Sequence, residues 1–275
     1  MRLEAQGVEL AYDQTVIAPD LTLAIPDGKI SVLIGPNGCG KSTALRALSR
    51  LLTPRSGSVV LDGKSIHESS TKEVARSLAI LPQVLLTPES ISVEDLVWFG
   101  RHPHRSTLRM QTNADKEAVE WAMRVTGVDD LRDQHVDQLS GGQRQRVWIA
   151  LCLAQGTDLI LLDEPTTYLD VAYQLEVLDL LSDLNRDEGK TVAMVLHDFN
   201  MAAEYADHIF VMHSGRLVTQ GTPEEVFTTD TIQDVFGVEA KVVPHPASGK
   251  PMCIPLRGRL RTQQPTRQPV QPAPA

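Results

Sequence analysis

The sequence predicts an α/β domain with a parallel-sheet core, an antiparallel β subdomain near its start and a helical subdomain set beside the sheet. Three patterns predict it: short apolar runs closed by turn residues, period-two alternation over the first thirty residues, and a helical pattern from about 91 to 140. The alternating segments "VELAY" and "LTLAI", the second closed by "PDG", read as antiparallel strands. The runs "ISVLIG", "SVVLDG", "DLILLDEP", "TVAMVLHD" and "HIFVM" read as strands buried on both faces, and therefore as a parallel sheet. Helices are announced by Ser70 with Glu73 ahead of "VARSLA" and by Ser92 ahead of "VEDLVWFG". A later helix carries Leu175, Leu178 and Leu181 at helical spacing and is ended by Gly189. Met194, Met201 and Met212 fall on different elements and read as core filler. From Arg257 the chain is rich in Pro and Gln, with four arginines and no acid, a composition unable to bury enough apolar surface to fold. The expected organisation is a folded domain over 1–256, its helical subdomain at about 91–140, and a disordered tail over 257–275.

Bulk properties narrow the function. With 42% hydrophobic and 22% charged residues the chain is an ordinary globular one, and 4% aromatic content argues against a carbohydrate-binding protein. The net charge of −9 disfavours nucleic acid as a partner, because neutralising phosphates needs a basic face. The start has no secretory pattern and no run is apolar and long enough to cross a bilayer, so a cytoplasmic protein is expected, with any membrane role exerted through a partner. Cys39, Cys152 and Cys253 match neither a disulfide framework nor a zinc site and read as reduced thiols.

The first chemical motif is "GPNGCGKST": Gly35, Pro36, Asn37, Gly38, Cys39, Gly40, Lys41, Ser42 and Thr43. It follows the strand "ISVLI" and precedes the helical pattern "ALRALSRLL", the context a P-loop requires. Glycines let backbone N–H groups converge on phosphate oxygens, and the helix start adds partial positive charge. Lys41 would reach the β- and γ-phosphates and Ser42 would ligate magnesium, so ATP with Mg2+ is the expected ligand. Cys39, inside this loop, is the candidate reactive thiol: alkylation is expected to block hydrolysis, and bound nucleotide to protect.

The second motif, "LILLDEP", ends a buried strand with Asp163 and Glu164 at the sheet edge where open α/β folds bind ligands. Neighbouring strand residues point to opposite faces, so the two carboxylates can divide the work. Asp163 suits magnesium, and Glu164 suits polarising an attacking water.

Between these motifs stands "LSGGQ", Leu139 to Gln143. Ser140 alone would read as a helix N-cap. In this order, however, the motifs resemble those of the ABC ATPases, a family of P-loop NTPases with a RecA-like core, and the match runs from about Leu3 to Gly237. The resemblance implies a homodimer that sandwiches two ATP molecules, in which Ser140, Gly141, Gly142 and Gln143 of one subunit face the γ-phosphate held on the other. Residue by residue it further implies that Tyr12 stacks on adenine and that Gln83 senses the γ-phosphate and magnesium. His197 would be the switch histidine that bonds the γ-phosphate and orders Glu164, and Asp170 would belong to the interface loop. The expected catalytic set is thus Glu164, His197, Gln83 and Lys41, and the expected metal set Ser42, Gln83 and Asp163.

The phrases "SVEDLVWFGRHPH", "LSGGQRQRVWIALCLAQ", "DEPTTYLD" and "LHDFNMAAEYADHI" are similar to those of ATP-binding subunits of bacterial iron(III)-siderophore importers, whose relatives serve haem and vitamin B12. This implies integral-membrane permease subunits as partners, a substrate-binding protein acting indirectly, and a place on the cytoplasmic face of the inner membrane. Two rivals stay open: a soluble ABC-type ATPase acting on DNA or ribosomes, and a P-loop kinase, which would need no "LSGGQ". His102 and His104 lie two apart around Pro103, without neighbouring carboxylates or thiols, and read as a loop rather than a metal site.

Overall fold

The structure is a computed structural model that describes residues 2–85, 88–105, 111–167 and 169–258. The chain opens with strands β1 (Leu3–Tyr12), β2 (Thr15–Ile25) and β3 (Ile30–Ile34), then helix α1 (Lys41–Leu48). β4 (Ser56–Leu61), β5 (Lys64–Ser65), α2 (Thr71–Ser77) and β6 (Leu78–Leu81) follow. The helical subdomain contains α3 (Val93–Trp98), a 3-10 helix (Phe99–His104), α4 (Asn113–Val125) and two short 3-10 turns, and it leads into α5 (Gly141–Ala154). The chain then runs through β7 (Leu159–Leu162), α6 (Val171–Glu188), β8 (Thr191–Val195), α7 (Phe199–Tyr205), β9 (His208–His213) and β10 (Arg216–Gly221). It closes with α8 (Pro223–Val226), α9 (Thr229–Phe236), β11 (Val238–Pro244) and β12 (Pro251–Gly258).

The core is a six-stranded sheet in the order β10-β9-β3-β8-β7-β6, parallel throughout except for the β9–β10 edge. Because side chains alternate along a strand, its two faces feed two separate cores. Ile30, Val32, Ile34, Ile160, Leu162, Val192 and Met194 face the helices that follow α2. Leu33, Leu159, Leu161, Ala193, Val195 and Phe210 face α1 and the antiparallel sheet β2-β1-β4-β5.

Three expectations are corrected here. "SVVLDG" is β4 of the antiparallel sheet, and its burial alternates toward the strand's end, as one solvated face requires. The helix opened by the Ser70–Glu73 capping box stops at Ser77; Leu78 and Ala79 already belong to β6, pairing in parallel with Leu159 and Ile160. On α6, Leu178 and Leu181 are buried while Leu175 is 40% exposed.

The helical subdomain is tied together by one buried ion pair. Arg101 Nε donates to Asp115 Oδ1 at 3.0 Å and its Nη1 donates to the Ala154 carbonyl at 2.7 Å, joining the 3-10 helix to α4 and α5. His102 and His104 lie on that 3-10 helix, where a ring nitrogen of His104 is 2.8 Å from the Gln155 carbonyl. Among the described residues, no group of three or more His, Cys, Asp or Glu could hold a metal ion. β12 runs two residues past the expected domain boundary at 256, with Arg257 and Gly258 pairing with Glu239 and Val238. The remaining part of the expected tail, 259–275, lies outside the described residues. Among those described, no helix is long and apolar enough to cross a membrane.

Candidate nucleotide site

Four segments leave the C-terminal ends of four adjacent strands and meet in one place. Taken in sheet order they are the phosphate loop after β3, His197 after β8, Glu164 after β7 and Gln83 after β6. Parallel strands with short connections put these groups in a row at one sheet edge, the position where open α/β sheets receive ligands. They line a cavity of about 850 Å³.

The phosphate loop supplies Gly35, Pro36, Asn37, Gly38, Gly40, Lys41, Ser42 and Thr43 to the wall. Gly40 caps α1 at φ 104°, a conformation that a residue with Cβ rarely adopts. At Gly35 an added Cβ would come 2.2 Å from the Met212 carbonyl oxygen, so only glycine lets the loop run this close to β9. Lys41 is 5% exposed and donates from Nζ to the Gly35 carbonyl at 2.8 Å and the Pro36 carbonyl at 3.1 Å, which holds the ammonium over the loop. The free N–H groups at the start of α1 and this ammonium make the loop an anion cradle.

Beside the cradle, Ser42 Oγ donates to Asp163 Oδ1 at 2.8 Å. Burial, followed by the adjacent Glu164 charge, pushes the Asp163 carboxyl above its ordinary range against the opposing Ser42 hydrogen bond. A serine hydroxyl, this carboxylate and the Gln83 side-chain oxygen are hard oxygen donors, a set that fits Mg2+.

Glu164 is held from three sides. His197 Nε2 is 2.7 Å from Oε1, while Gln83 Nε2 and Thr167 Oγ1 donate to Oε2 at 2.8 and 3.0 Å. Burial alone would raise its pKa, but these hydrogen bonds and the His197 charge outweigh it and leave the carboxyl below its ordinary value. The expected division of labour between Asp163 and Glu164 has a different cause from strand alternation. β7 ends at Leu162, and Glu164 has φ 56°, the left-handed region. Such a conformation costs a non-glycine residue about 1–2 kcal/mol, and Glu164 so placed lines the cavity whereas Asp163 does not.

The remaining expected residues are not part of this wall. Tyr12 ends β1, is 39% exposed, and accepts a hydrogen bond from Arg46 Nη1 at 3.1 Å; Ile17 lines the cavity instead. Ser140 caps α5 by accepting from Gln143 N at 3.3 Å, and Gln143 Oε1 accepts from Ser140 N at 3.0 Å. Gly141 borders a smaller cavity with Gln83 and Glu164, and Gly142 is buried against the Tyr173 ring. Asp170 caps α6 by accepting from Tyr173 N at 3.1 Å. Cys39 sits in surroundings that disfavour the expected reactive thiol. It is buried at 5% exposure within the core on the α1 side of the sheet, and burial raises its pKa, both of which work against reaction with a thiol reagent. Thr167, Phe199 and Phe236 line the cavity and were not read from the sequence; Thr167 follows Glu164 by three residues, whereas the two phenylalanines reach the site only through the fold.

An anion cradle, a hydroxyl–carboxylate pair and a braced second carboxylate at one sheet edge define a P-loop ATPase. The ABC transporter family model matches residues 18–167, and the chain belongs to that family, whose transporter cassettes hydrolyse ATP. It is 49% identical to the achromobactin transport ATP-binding protein of Dickeya dadantii, over 95% of this chain and 97% of that one. It is 48% identical to the ferric enterobactin transport ATP-binding protein of Escherichia coli (93% and 94% covered) and 46% identical to the iron(3+)-hydroxamate import ATP-binding protein of Bacillus subtilis (92% and 94%). Among solved structures, an inward-facing transporter described as of metal-chelate type superposes with TM-score 0.80 at 28% identity, covering 93% of this chain and 97% of that one. The bacterial cassette MJ0796, dimeric in its structure, superposes with TM-score 0.72 at 25% identity over 80% of this chain and 98% of that one.

Proposed function

We propose that this chain is the ATP-hydrolysing subunit of a bacterial importer for iron(III)-siderophore complexes, acting at the cytoplasmic face of the inner membrane. The observation that carries the substrate class is the 46–49% identity along nearly the whole chain to ATP-binding proteins for iron(3+)-hydroxamate import and for ferric enterobactin and achromobactin transport. A cobalamin import relative from Halobacterium salinarum is more distant at 39%, and this chain covers 65% of its length. A groove of about 520 Å³ on the helical subdomain has a mixed lining, with Ile91, Trp98 and the 55%-exposed Phe99 beside Glu94, Asp95, His102 and Arg105, and is our candidate seat for a permease segment.

Hydrolysis is assigned as follows. Lys41 and the amides at the start of α1 hold the β- and γ-phosphates. Ser42, Asp163 and Gln83 would hold Mg2+, which when bound neutralises charge developing on the phosphoryl oxygens. Glu164, kept ionised, orients and polarises the attacking water, and His197 fixes the Glu164 carboxylate and bonds the γ-phosphate. Ser140 and Gly142 lie outside the cavity, which supports their use by a second copy, each subunit completing the other's nucleotide site. ATP then drives closure through its higher affinity for the closed dimer, and the movement passes to the permease.

Replacing Glu164 with Gln tests this assignment. Phosphate release should fall about 100-fold or more, the range of a lost general base, while sedimentation with ATP shows an accumulated dimer. Normal turnover in that variant would refute the assignment. The substrate class is tested in membrane vesicles containing the cognate permease, where ATP-dependent uptake of an iron(III)-siderophore is expected in preference to cobalamin or haem.

A further inference from the structure

His197 has one hydrogen-bonding partner among the described residues, Glu164. Its ring is therefore placed by its backbone, which runs from β8 into α7 with only Leu196, His197 and Asp198 between them. α7 has seven residues: its fully buried side chains are the small Ala202 and Ala203, while Phe199, Met201 and Tyr205 pack partly buried against the core and the Tyr205 hydroxyl donates to Asp179 Oδ1 of α6 at 2.7 Å. Its remaining directional contacts are made to the C-terminal hairpin.

The most directional of these contacts is made by Asn200. Its Oδ1 accepts from Cys253 N at 2.7 Å and its Nδ2 donates to the Cys253 carbonyl at 3.2 Å. The side-chain amide thus pairs with a peptide unit of β12 as a neighbouring strand would. Further bonds join the same helix to the same hairpin, since Ser248 Oγ donates to Glu204 Oε2 at 2.6 Å and Lys250 Nζ donates to the Glu204 carbonyl. α9, which leads into the hairpin, sets the Phe236 ring edge-on against Phe199 at 4.6 Å, and both rings line the nucleotide cavity. The C-terminal hairpin therefore grips the helix that begins two residues after His197, at positions near its start and end.

We propose that Asn200 is a positioning residue for the His197–Glu164 pair: by pairing with the Cys253 backbone it locks α7 to the β11–β12 hairpin, and the hairpin thereby sets the alignment of the hydrolytic site. The proposal rests on the assignment of His197 and Glu164 to ATP hydrolysis. Asn200 is not among the residues lining the nucleotide cavity and makes no hydrogen bond to Glu164, so its effect falls on turnover rather than on nucleotide affinity.

The test is a double-mutant cycle in the full chain, reading kcat and KM for ATP together with thermal unfolding. Asn200→Ala should lower kcat by about tenfold, short of the roughly 100-fold that a 1 Å misplacement can cost, and leave KM within about twofold. Cys253→Pro removes the same N–H from the other side of the contact without touching a ladder bond, and should give the same pattern. Either change made in a His197→Ala background should lower kcat no further. Additive losses in that background, or a fall in kcat matched by a rise in KM, would overturn the proposal. If His197→Ala itself keeps full activity, the fault lies in the assignment of His197 and not in the Asn200 contact, whose effect in the unaltered chain is read separately.

Discussion

Asp163 and Glu164 are neighbours in the chain, and the fold drives their carboxyls in opposite directions. Asp163 is raised by burial and then by the charge of Glu164; Glu164, half-buried, is lowered because the hydrogen bond from His197, with those from Thr167 and Gln83, outweighs burial. Two carboxyls with separated titrations can serve separate tasks, cation binding and the handling of water.

The first prediction concerns pH. A depressed carboxyl contributes stability that is present above the ordinary glutamate value of 4.5 and lost as pH falls through the folded value. The Glu164 carboxylate should therefore remain ionised below pH 4.5, with no acid limb of hydrolysis assignable to it above that point. Replacing His197 by Ala removes the largest opposing contribution and leaves burial dominant, so the Glu164 titration should move upward. Carboxyl NMR titration of both forms checks this, and an unmoved or lowered value in the variant contradicts the reading.

A second prediction follows from the close approach at Gly35. A Cβ there would lie 2.2 Å from the Met212 carbonyl oxygen and 2.7 Å from Cys39 Sγ, and one of the two is backbone that cannot yield cheaply. Gly35→Ala should deform the phosphate loop and weaken ATP binding about tenfold or more, since several N–H contacts to phosphate move together and each charge-assisted bond is worth about 1.5–3 kcal/mol. Fluorescent-nucleotide titration measures it; unchanged affinity would show that the loop relaxes without cost.

What could be read ahead of the structure followed chain continuity. The phosphate loop was legible because its residues, from Gly35 to Thr43, are contiguous and lie between a strand and a helix that each announce themselves. β6 was hidden because Leu78 to Leu81 extend the apolar pattern of α2, and only pairing with β7 makes them a strand. β4 was misplaced because a buried run does not say which sheet buries it. Phe199 and Phe236 could not be found at all: they lie 37 positions apart, on helices brought together only by the tertiary fold. The hairpin beyond Gly237 is hard to read for a related reason: among the described residues its buried side chains are Ala240 and Cys253, too few to stand out as a strand pattern.

A third prediction addresses the thiols. Cys39, Cys152 and Cys253 are all free and buried; burial raises the pKa of Cys39 and Cys253 and pushes Cys152 up to about 12. The native chain should react with a thiol reagent at neutral pH far more slowly than the unfolded chain. Alkylation followed by mass spectrometry decides it, and rapid labelling of Cys39 in the folded protein would restore the expectation of an accessible loop thiol.

The last prediction concerns the helical subdomain. Arg101 and Asp115 are each 8% exposed and bond at 3.0 Å, and the Thr112 hydroxyl and amide add to the Asp115 carboxylate. Burial works to raise the Asp115 pKa, but the bonds from Thr112 and Arg101 win and lower it to about 2. The sign is that of a depressed acid: its stabilisation, about 2 kcal/mol, is complete above the ordinary value and disappears as pH falls toward 2. Arg101→Ala leaves the carboxylate buried without its cation and should cost about 3–5 kcal/mol at pH 7. Replacing both partners with apolar residues of similar volume should cost much less, because a desolvated pair repays little beyond the loss of its own hydration. Urea unfolding of the single and double variants at pH 7 measures the difference; equal losses in both would mean that Arg101 stabilises through its bond to the Ala154 carbonyl rather than through Asp115.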